Sequence, residues 1–347
     1  MTEKHDFEAG GRPSNRIPES YIEHEFPALD LPRIPTMDKK LIIEACIPGW
    51  QPVRWYRDRG VNNLPPITVE EQAQAIADCV NAGASVIHTH PRDPKIPTES
   101  WSGGMPVVDL PLLMEIQGKA FAKAGDFVTM NHAWSYDVSK NPYTDYITEA
   151  EELLRLANGS NRYLQGSVIM TWGIRTHLLS EHGGPPFIEG MKWLEAHSVK
   201  PVYQMHLNRF LVIKRMLFDS GVSNWKPYVI NINCGKHTDE QIDVDPWGHI
   251  QIIKDMEFIR HEMGKDAHIG IYAGNRNWMP ISVTGIMNGA DLVRVGIEDQ
   301  YWIWPHRDDI STYAAQTTEL IVNIARSLGR EIATPAETRE ILGMKLT

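Results

Sequence analysis

The feature that most constrains this chain is an alternation. Eight short β-branched runs, at residues 41–47, 85–90, 127–131, 164–170, 201–206, 228–233, 268–273 and 291–297, are separated by segments with apolar residues at helical spacing. The helical patterns cover 68–82, 110–124, 145–157, 187–197, 209–220, 246–263, 280–288 and 309–328. Eight strands each followed by a helix predict an α/β fold of the (β/α)8 TIM-barrel type, and 347 residues suffice for one such domain. The rival, a doubly wound sheet, calls for a glycine-rich turn after the first strand. None follows it. Residues 1–40 mix Pro, Gly and charge without periodicity, so they are read as an N-terminal extension or arm, with 41–347 as the barrel.

Side chains on a strand alternate between two faces, so His88 and His90, at the end of the second run, point the same way and can share one metal ion. The bland alternative is a pair of hydrogen-bonded polar residues near a surface. A third ligand must come from elsewhere, and in the eighth run alternation puts Arg294 and Glu298 on one face and Val293, Val295 and Ile297 on the other. The Glu298 carboxylate is the candidate. Taking the histidines as inward, the matching polar positions are Asn131, Gln204, His206, Asn231, Asn233, Arg294 and Glu298. A barrel interior is normally filled with branched apolar residues, so polar groups gathered at one end imply a site there. For Asn231 and Asn233, hydrogen bonding to loops stands equally open. His132 and His206 are read first as hydrogen-bonded polar residues, and Glu44 as a buried carboxylate or an alternative base.

Net charge is −10, and no stretch concentrates Lys and Arg with interleaved aromatics, which excludes a nucleic-acid partner from the expectations. Cys46, Cys79 and Cys234 are odd in number and far apart, which argues against a disulfide framework and for a reducing compartment. No apolar run is long enough to span a bilayer and no signal-peptide pattern opens the chain, so no membrane is expected and the location is read as cytoplasmic.

Several stretches together resemble the beta-keto acid cleavage enzymes, relatives of 3-keto-5-aminohexanoate cleavage enzyme. They are Leu41-Ile42-Ile43 through Gly49, the run from Ala82 through His88-Thr89-His90-Pro91-Arg92-Asp93, Gly274 through Pro280, Val293 through Asp299, and Gly329 through Glu337. The resemblance runs from about Leu41 to the C-terminus. It implies a zinc-dependent TIM barrel that uses acetyl-CoA as cosubstrate and converts a β-keto acid to acetoacetate and a new acyl-CoA. Carried over from the family, zinc binds to His88, His90 and Glu298, and Arg294 and Asp299 are catalytic. A keto acid chelated through its ketone and one carboxylate oxygen is then attacked by an enolate-like carbon from acetyl-CoA, which calls for a base, Asp299. Arg294 is expected to hold the developing oxyanion, or else to form a structural salt bridge. Because alternation turns Asp299 away from the zinc, its role requires a bend in the chain. The resemblance also implies a homo-oligomer, with a tetramer suspected.

Departures from the family concern the substrate. Gln51 and Gln204 stand where the amino-acid-cleaving members carry glutamates, and Asn131-His132-Ala133-Trp134 and Cys234-Gly235-Lys236-His237-Thr238 replace two family loops. Gln51, Asn131 and Gln204 are therefore candidate substrate contacts for an acid other than the amino-keto acid. Lys236 and Arg276 are candidates for the CoA phosphates. Trp134, Trp172, Trp278, Trp302 and Trp304 fall in or near expected loops, fitting an apolar, aromatic or quaternary-ammonium group, or plain packing. Two other functions stay open: another metal-dependent lyase or hydrolase on the same barrel, and a metal-binding barrel without turnover.

Overall fold

Eight parallel strands close into a barrel in chain order, β1 pairing with both β2 and β8. The computed structural model describes residues 35–47, 49, 51–131, 147–170, 184–207, 210–235, 246–274 and 276–347. The strands are β1 Ile42–Ile47, β2 Val86–Thr89, β3 Val128–Asn131, β4 Gly166–Met170, β5 Lys200–Met205, β6 Tyr228–Cys234, β7 Ala267–Ala273 and β8 Leu292–Val295. The helices are α1 Val53–Arg57, α2 Val69–Ala82, α3 Leu110–Ala124, α4 Thr148–Leu156, α5 Gly184–Ala196, α6 Phe210–Ile213, α7 Pro246–Met263, α8 Trp278–Met287, α9 Ala314–Ser327 and α10 Pro335–Leu342. Residues 1–34 of the expected extension lie outside the described residues.

Alternation sorts the strand residues into two apolar layers. Ile43, Ala45, Ile87, Ile230, Ile271, Val293 and Val295 pack outward against the helices. Ile42, Val86, Val128, Met130, Val168, Val202, Val229 and Leu292 fill the interior with Leu342 and Met344. This inner plug sits at the strands' N-terminal end, where α10 closes the barrel. A capping box of Thr334 and Glu337 starts α10, Thr338 Oγ1 donates to Ser85 Oγ at 2.7 Å, and Arg339 forks onto Asp126 at 2.7 Å through both nitrogens. The polar interior positions are left at the other end.

Most expected elements appear at the predicted places, and α3 and α7 match to the residue. Three differ. β8 stops at Val295, because Gly296, at φ +127°, turns the chain out of the ladder. The helix expected over 209–220 is α-helical only through Ile213 and continues as a π-helix, Lys214–Asp219. The helix expected from 309 begins at Ala314, after an antiparallel bridge between Trp302 and Ile310. Both α1 and α10 were missed, although Thr334, Pro335 and Glu337 spell a helix start.

Candidate metal centre and active site

Both histidines lie on the inward face of β2, His88 within the strand and His90 just past its end. His88 Nδ1 lies 2.6 Å from the Met130 carbonyl, so it carries the proton and donates, leaving the Nε2 lone pair aimed into the barrel. There it meets His90 Nε2 at 2.9 Å and Glu298 Oε2 at 3.3 Å, while Glu298 Oε1 is 3.8 Å from His90 Nε2. All three side chains are buried, and their ligand atoms lie within 4.8 Å of one another. Among the described residues no other three His, Cys, Asp or Glu converge in this way. With the His88 proton on Nδ1, its Nε2 offers a lone pair beside the His90 Nε2 and the Glu298 carboxylate, three atoms that could bind one cation. The donor set, two nitrogens and one carboxylate with an outer nitrogen already fixed by a carbonyl, fits a divalent metal held by three protein ligands.

Glu298 reaches this point because the chain bends after β8. A Cβ on Gly296 would stand 2.4 Å from the Cys46 carbonyl oxygen, so the approach of β1 and the positive φ both require glycine. The backbone N–H groups of Asp299 and Gln300 both donate to the Gly296 carbonyl at 3.1 Å, while Gln300 Oε1 accepts from Gly296 N–H at 2.9 Å. From the other side Gly49 presses on the turn, where a Cβ would meet the Ile297 oxygen at 2.4 Å. Arg92 donates to the Gly49 and Gln51 carbonyls at 2.9 and 2.8 Å, and so holds the β1 exit against this turn. Burial lowers the pKa of Arg92 to about 10, still a cation at neutral pH.

The bend brings both acidic residues onto one guanidinium. Arg294 donates from Nε to Asp299 Oδ2 at 2.9 Å, from Nη2 to Glu298 Oε1 at 2.7 Å and from Nη1 to Glu44 Oε1 at 3.3 Å. Its carbon Cζ lies 4.3 Å above the Tyr272 ring, whose hydroxyl donates to Asp299 Oδ1 at 3.0 Å. Burial works against the Arg294 charge, but Asp299 and Glu298 outweigh it and hold its pKa well above the usual value. Burial raises Glu44 to about 7, opposed by Arg294 and reinforced by Asp299 and Glu298. Tyr272 is likewise pushed well up by burial and stays a donor. Tyr272 was missed from the sequence, though it has the inward parity on β7 that was followed on other strands. Glu44 was seen as a buried carboxylate, but not as a partner of Arg294.

Asn131 is a correction. Met130 occupies the interior position of β3, so Asn131 alternates to the helix side. Its Oδ1 accepts from Thr89 N–H at 3.0 Å and its Nδ2 donates to the Tyr163 carbonyl at 2.9 Å, tying two chain segments together. Gln204 is buried on β5, in register with Asn231 of β6. Gln51 is half-buried in the loop held by Arg92. Arg276 pairs with Asp308 and lies 4.4 Å from the Trp302 ring. Lys236, His132, Trp134 and Trp172 lie outside the described residues. Trp278 is wholly buried and donates from Nε1 to the Trp302 carbonyl at 2.9 Å, which is packing. Cys46, Cys79 and Cys234 are buried thiols outside any disulfide, and among the described residues no helix is long and apolar enough to cross a membrane.

A family model described as beta-keto acid cleavage enzyme matches residues 40–344, which include every element that builds this centre. The chain belongs to the beta-keto acid cleavage enzyme family. Its class is therefore that of C–C bond-cleaving enzymes. Among its relatives, the 3,5-dioxohexanoate:acetyl-CoA acetone transferase of Paraburkholderia graminis is 23% identical over 306 residues, 81% of this chain and 89% of that one. The 3-keto-5-aminohexanoate cleavage enzyme of Acetoanaerobium sticklandii is 24% identical over 310 residues, 88% of this chain and 99% of that one. These two relatives act on different acids at nearly equal identity, so similarity does not select the substrate. Among solved structures, apo ObcA superposes with a TM-score of 0.60 at 15% identity, over 80% of this chain and 65% of that one, a likeness of fold.

Proposed function

We propose that this enzyme cleaves a β-keto acid with acetyl-CoA, giving acetoacetate and an acyl-CoA, at a zinc centre of His88, His90 and Glu298. The observation that carries the reading is the convergence of those three ligand atoms within 4.8 Å beside the buried Arg294–Asp299 pair. A divalent ion held there supplies Lewis acidity to the ketone oxygen, and the two-histidine, one-carboxylate set favours zinc.

Atom balance decides which carbon attacks. Acetoacetate keeps the acid's C1 and C2 and gains the acetyl group, so the nucleophile is C2 of the keto acid and the electrophile is the acetyl carbonyl. This replaces the expectation of an acetyl-CoA enolate. The C2–C3 bond and the acetyl–sulfur bond break, while a C2–acetyl bond and a new acyl–sulfur bond form. Asp299 takes the C2 proton and returns it to C2 when the C2–C3 bond breaks. Its Oδ1 accepts from the Tyr272 hydroxyl and its Oδ2 from Arg294 Nε, bonds that orient the carboxylate for that proton. With each of its nitrogens on a carboxylate, Arg294 orients Asp299 and Glu298 and balances their charge. Arg276 and Lys236 remain the candidates for the CoA phosphates, the former by exchanging Asp308 for phosphate. A cytoplasmic homotetramer completes the reading, and light scattering tests the assembly.

The test joins elemental analysis of protein purified without a metal-affinity step to an acyl-CoA assay on a panel of β-keto acids. Near-stoichiometric zinc, lost in His90→Ala and Glu298→Ala, with acyl-CoA formed only when acetyl-CoA is supplied, is the expected result. Product formed without acetyl-CoA would point to hydrolysis instead.

A further inference from the structure

The inward face of β6 carries two asparagines whose amides the described residues satisfy only in part. Val229 belongs to the interior cluster, and alternation places Asn231 and Asn233 on the same side further along the strand. Asn231 is 0% exposed and Asn233 2%. Among the described residues neither Oδ1 nor Nδ2 of Asn231 has a hydrogen-bond partner, and neither does Asn233 Oδ1. Asn233 Nδ2 donates to His206 Nε2 at 3.3 Å. The alternative left open from the sequence, that these amides hold loops, therefore fails for three of their four polar atoms. A buried amide without a partner has lost the hydrogen bonds that water offers the unfolded chain. Three such atoms on one strand face mark a place where a bound molecule completes the hydrogen bonding.

Topology says which molecule lies within reach. In the closed ring β6 is four strands from β2 in either direction, so its inward face looks across the interior at His88 and His90. A keto acid held at those histidines would have β6 opposite it across the interior. Gly270, in register with Asn231, makes the amide's position possible, since a Cβ there would stand 2.0 Å from Asn231 Oδ1. The unmatched atoms are one NH2 donor and two carbonyl acceptors, all neutral. An alkyl chain would leave them unmatched, and an ammonium would leave the donor unmatched and find no carboxylate on this strand face. A hydroxyl both donates and accepts.

We infer that Asn231 and Asn233 form a subsite for the acyl end of the keto acid, selecting a neutral substituent that donates and accepts, a hydroxyl or a carboxamide, over an ammonium or a bare alkyl chain. The inference rests on the keto acid being cleaved at the His88, His90 and Glu298 centre. It is tested with metal-loaded wild type, Asn231→Leu and Gly270→Ala, each assayed with acetyl-CoA on 3-oxohexanoate and its 5-hydroxy and 5-amino derivatives. The readout is the ratio of kcat/KM between acids, which cancels differences in folded fraction. Wild type should favour the hydroxy acid over both others by about tenfold or more. That ratio should fall toward one in Asn231→Leu and also in Gly270→Ala, which displaces the amide without altering residue 231. A wild type that favours the alkyl or amino acid removes the subsite, as does a preference retained in Asn231→Leu. Should Asn231→Leu not fold, a preference retained in Gly270→Ala decides against it. No acyl-CoA from any acid would instead refute the proposed function and take the subsite with it.

Discussion

Asp299 accepts from the Tyr272 hydroxyl and from Arg294 Nε, and residues around this cluster make separate predictions possible. Tyr272→Phe removes only the hydroxyl that donates to Asp299 Oδ1 and keeps the ring beneath Arg294. A hydrogen bond to a charged group is worth about 1.5 to 3 kcal/mol, so kcat should fall about 10- to 100-fold with metal content unchanged. An undiminished kcat would remove Tyr272 from the mechanism. Glu44 answers to pH. In the metal-free protein its folded pKa is raised from 4.5 to about 7, mainly by burial. A raised folded pKa means that its favourable contribution is full below about pH 4.5 and is lost as pH rises through about 7. A shift of that size corresponds to about 3 kcal/mol. Metal-free wild type should therefore lose stability between pH 5 and pH 8.5 by about that amount more than Glu44→Gln, as read from urea unfolding at the two pH values. Equal losses in the two proteins would show that Glu44 ionises without cost. At this scale period-two spacing picked out His88, His90 and Glu298, which the fold brings together, whereas Asn131 faces the other way because β3 is only four residues long and its parity had no independent anchor.

Among the elements, the turn after β8 does most to assemble the site. Strict alternation would send Glu298 and Asp299 to opposite faces; the bend at Gly296 lets both reach Arg294. The need for a bend was legible from Asp299, but its position was not, since a glycine in a strand pattern reads equally as a bulge or a close approach. Gly296→Ala meets both a left-handed φ and the Cys46 carbonyl at 2.4 Å. It should destabilise the fold by about 2 kcal/mol or more and lower zinc stoichiometry, because the turn that carries Glu298 must shift. Denaturant midpoints and elemental analysis of the same sample check both effects. A stable, zinc-replete Gly296→Ala would mean that the turn has slack that its packing against β1 does not suggest.

For the whole molecule, the division of the interior matters most: an apolar plug at one end and polar groups at the other. The plug is completed by α10, which comes after the last barrel helix and places Leu342, with Met344 just past its end, in the interior cluster. Leu342 is fully buried, so Leu342→Ala should cost about 2 to 5 kcal/mol, read as a lower thermal midpoint, while kcat changes little because the plug lies at the opposite end from His88, His90 and Glu298. A loss of activity larger than the loss of folded protein would show coupling between the two ends. The sequence by itself determined the order of strands and helices, the closed barrel as the architecture that accommodates them, and the shared face of His88 and His90. These follow from periodicities of two and 3.6 residues, which are local and survive in any context. Only the tertiary structure decided that Glu44 meets Arg294 across 250 residues, that Tyr272 supports Asp299, that Asn131 faces the helices, and that the Asn231 amide and Asn233 Oδ1 find no partner among the described residues. Local periodicity assigns a residue to a face, but which atoms meet there depends on how the strands stagger when the barrel closes.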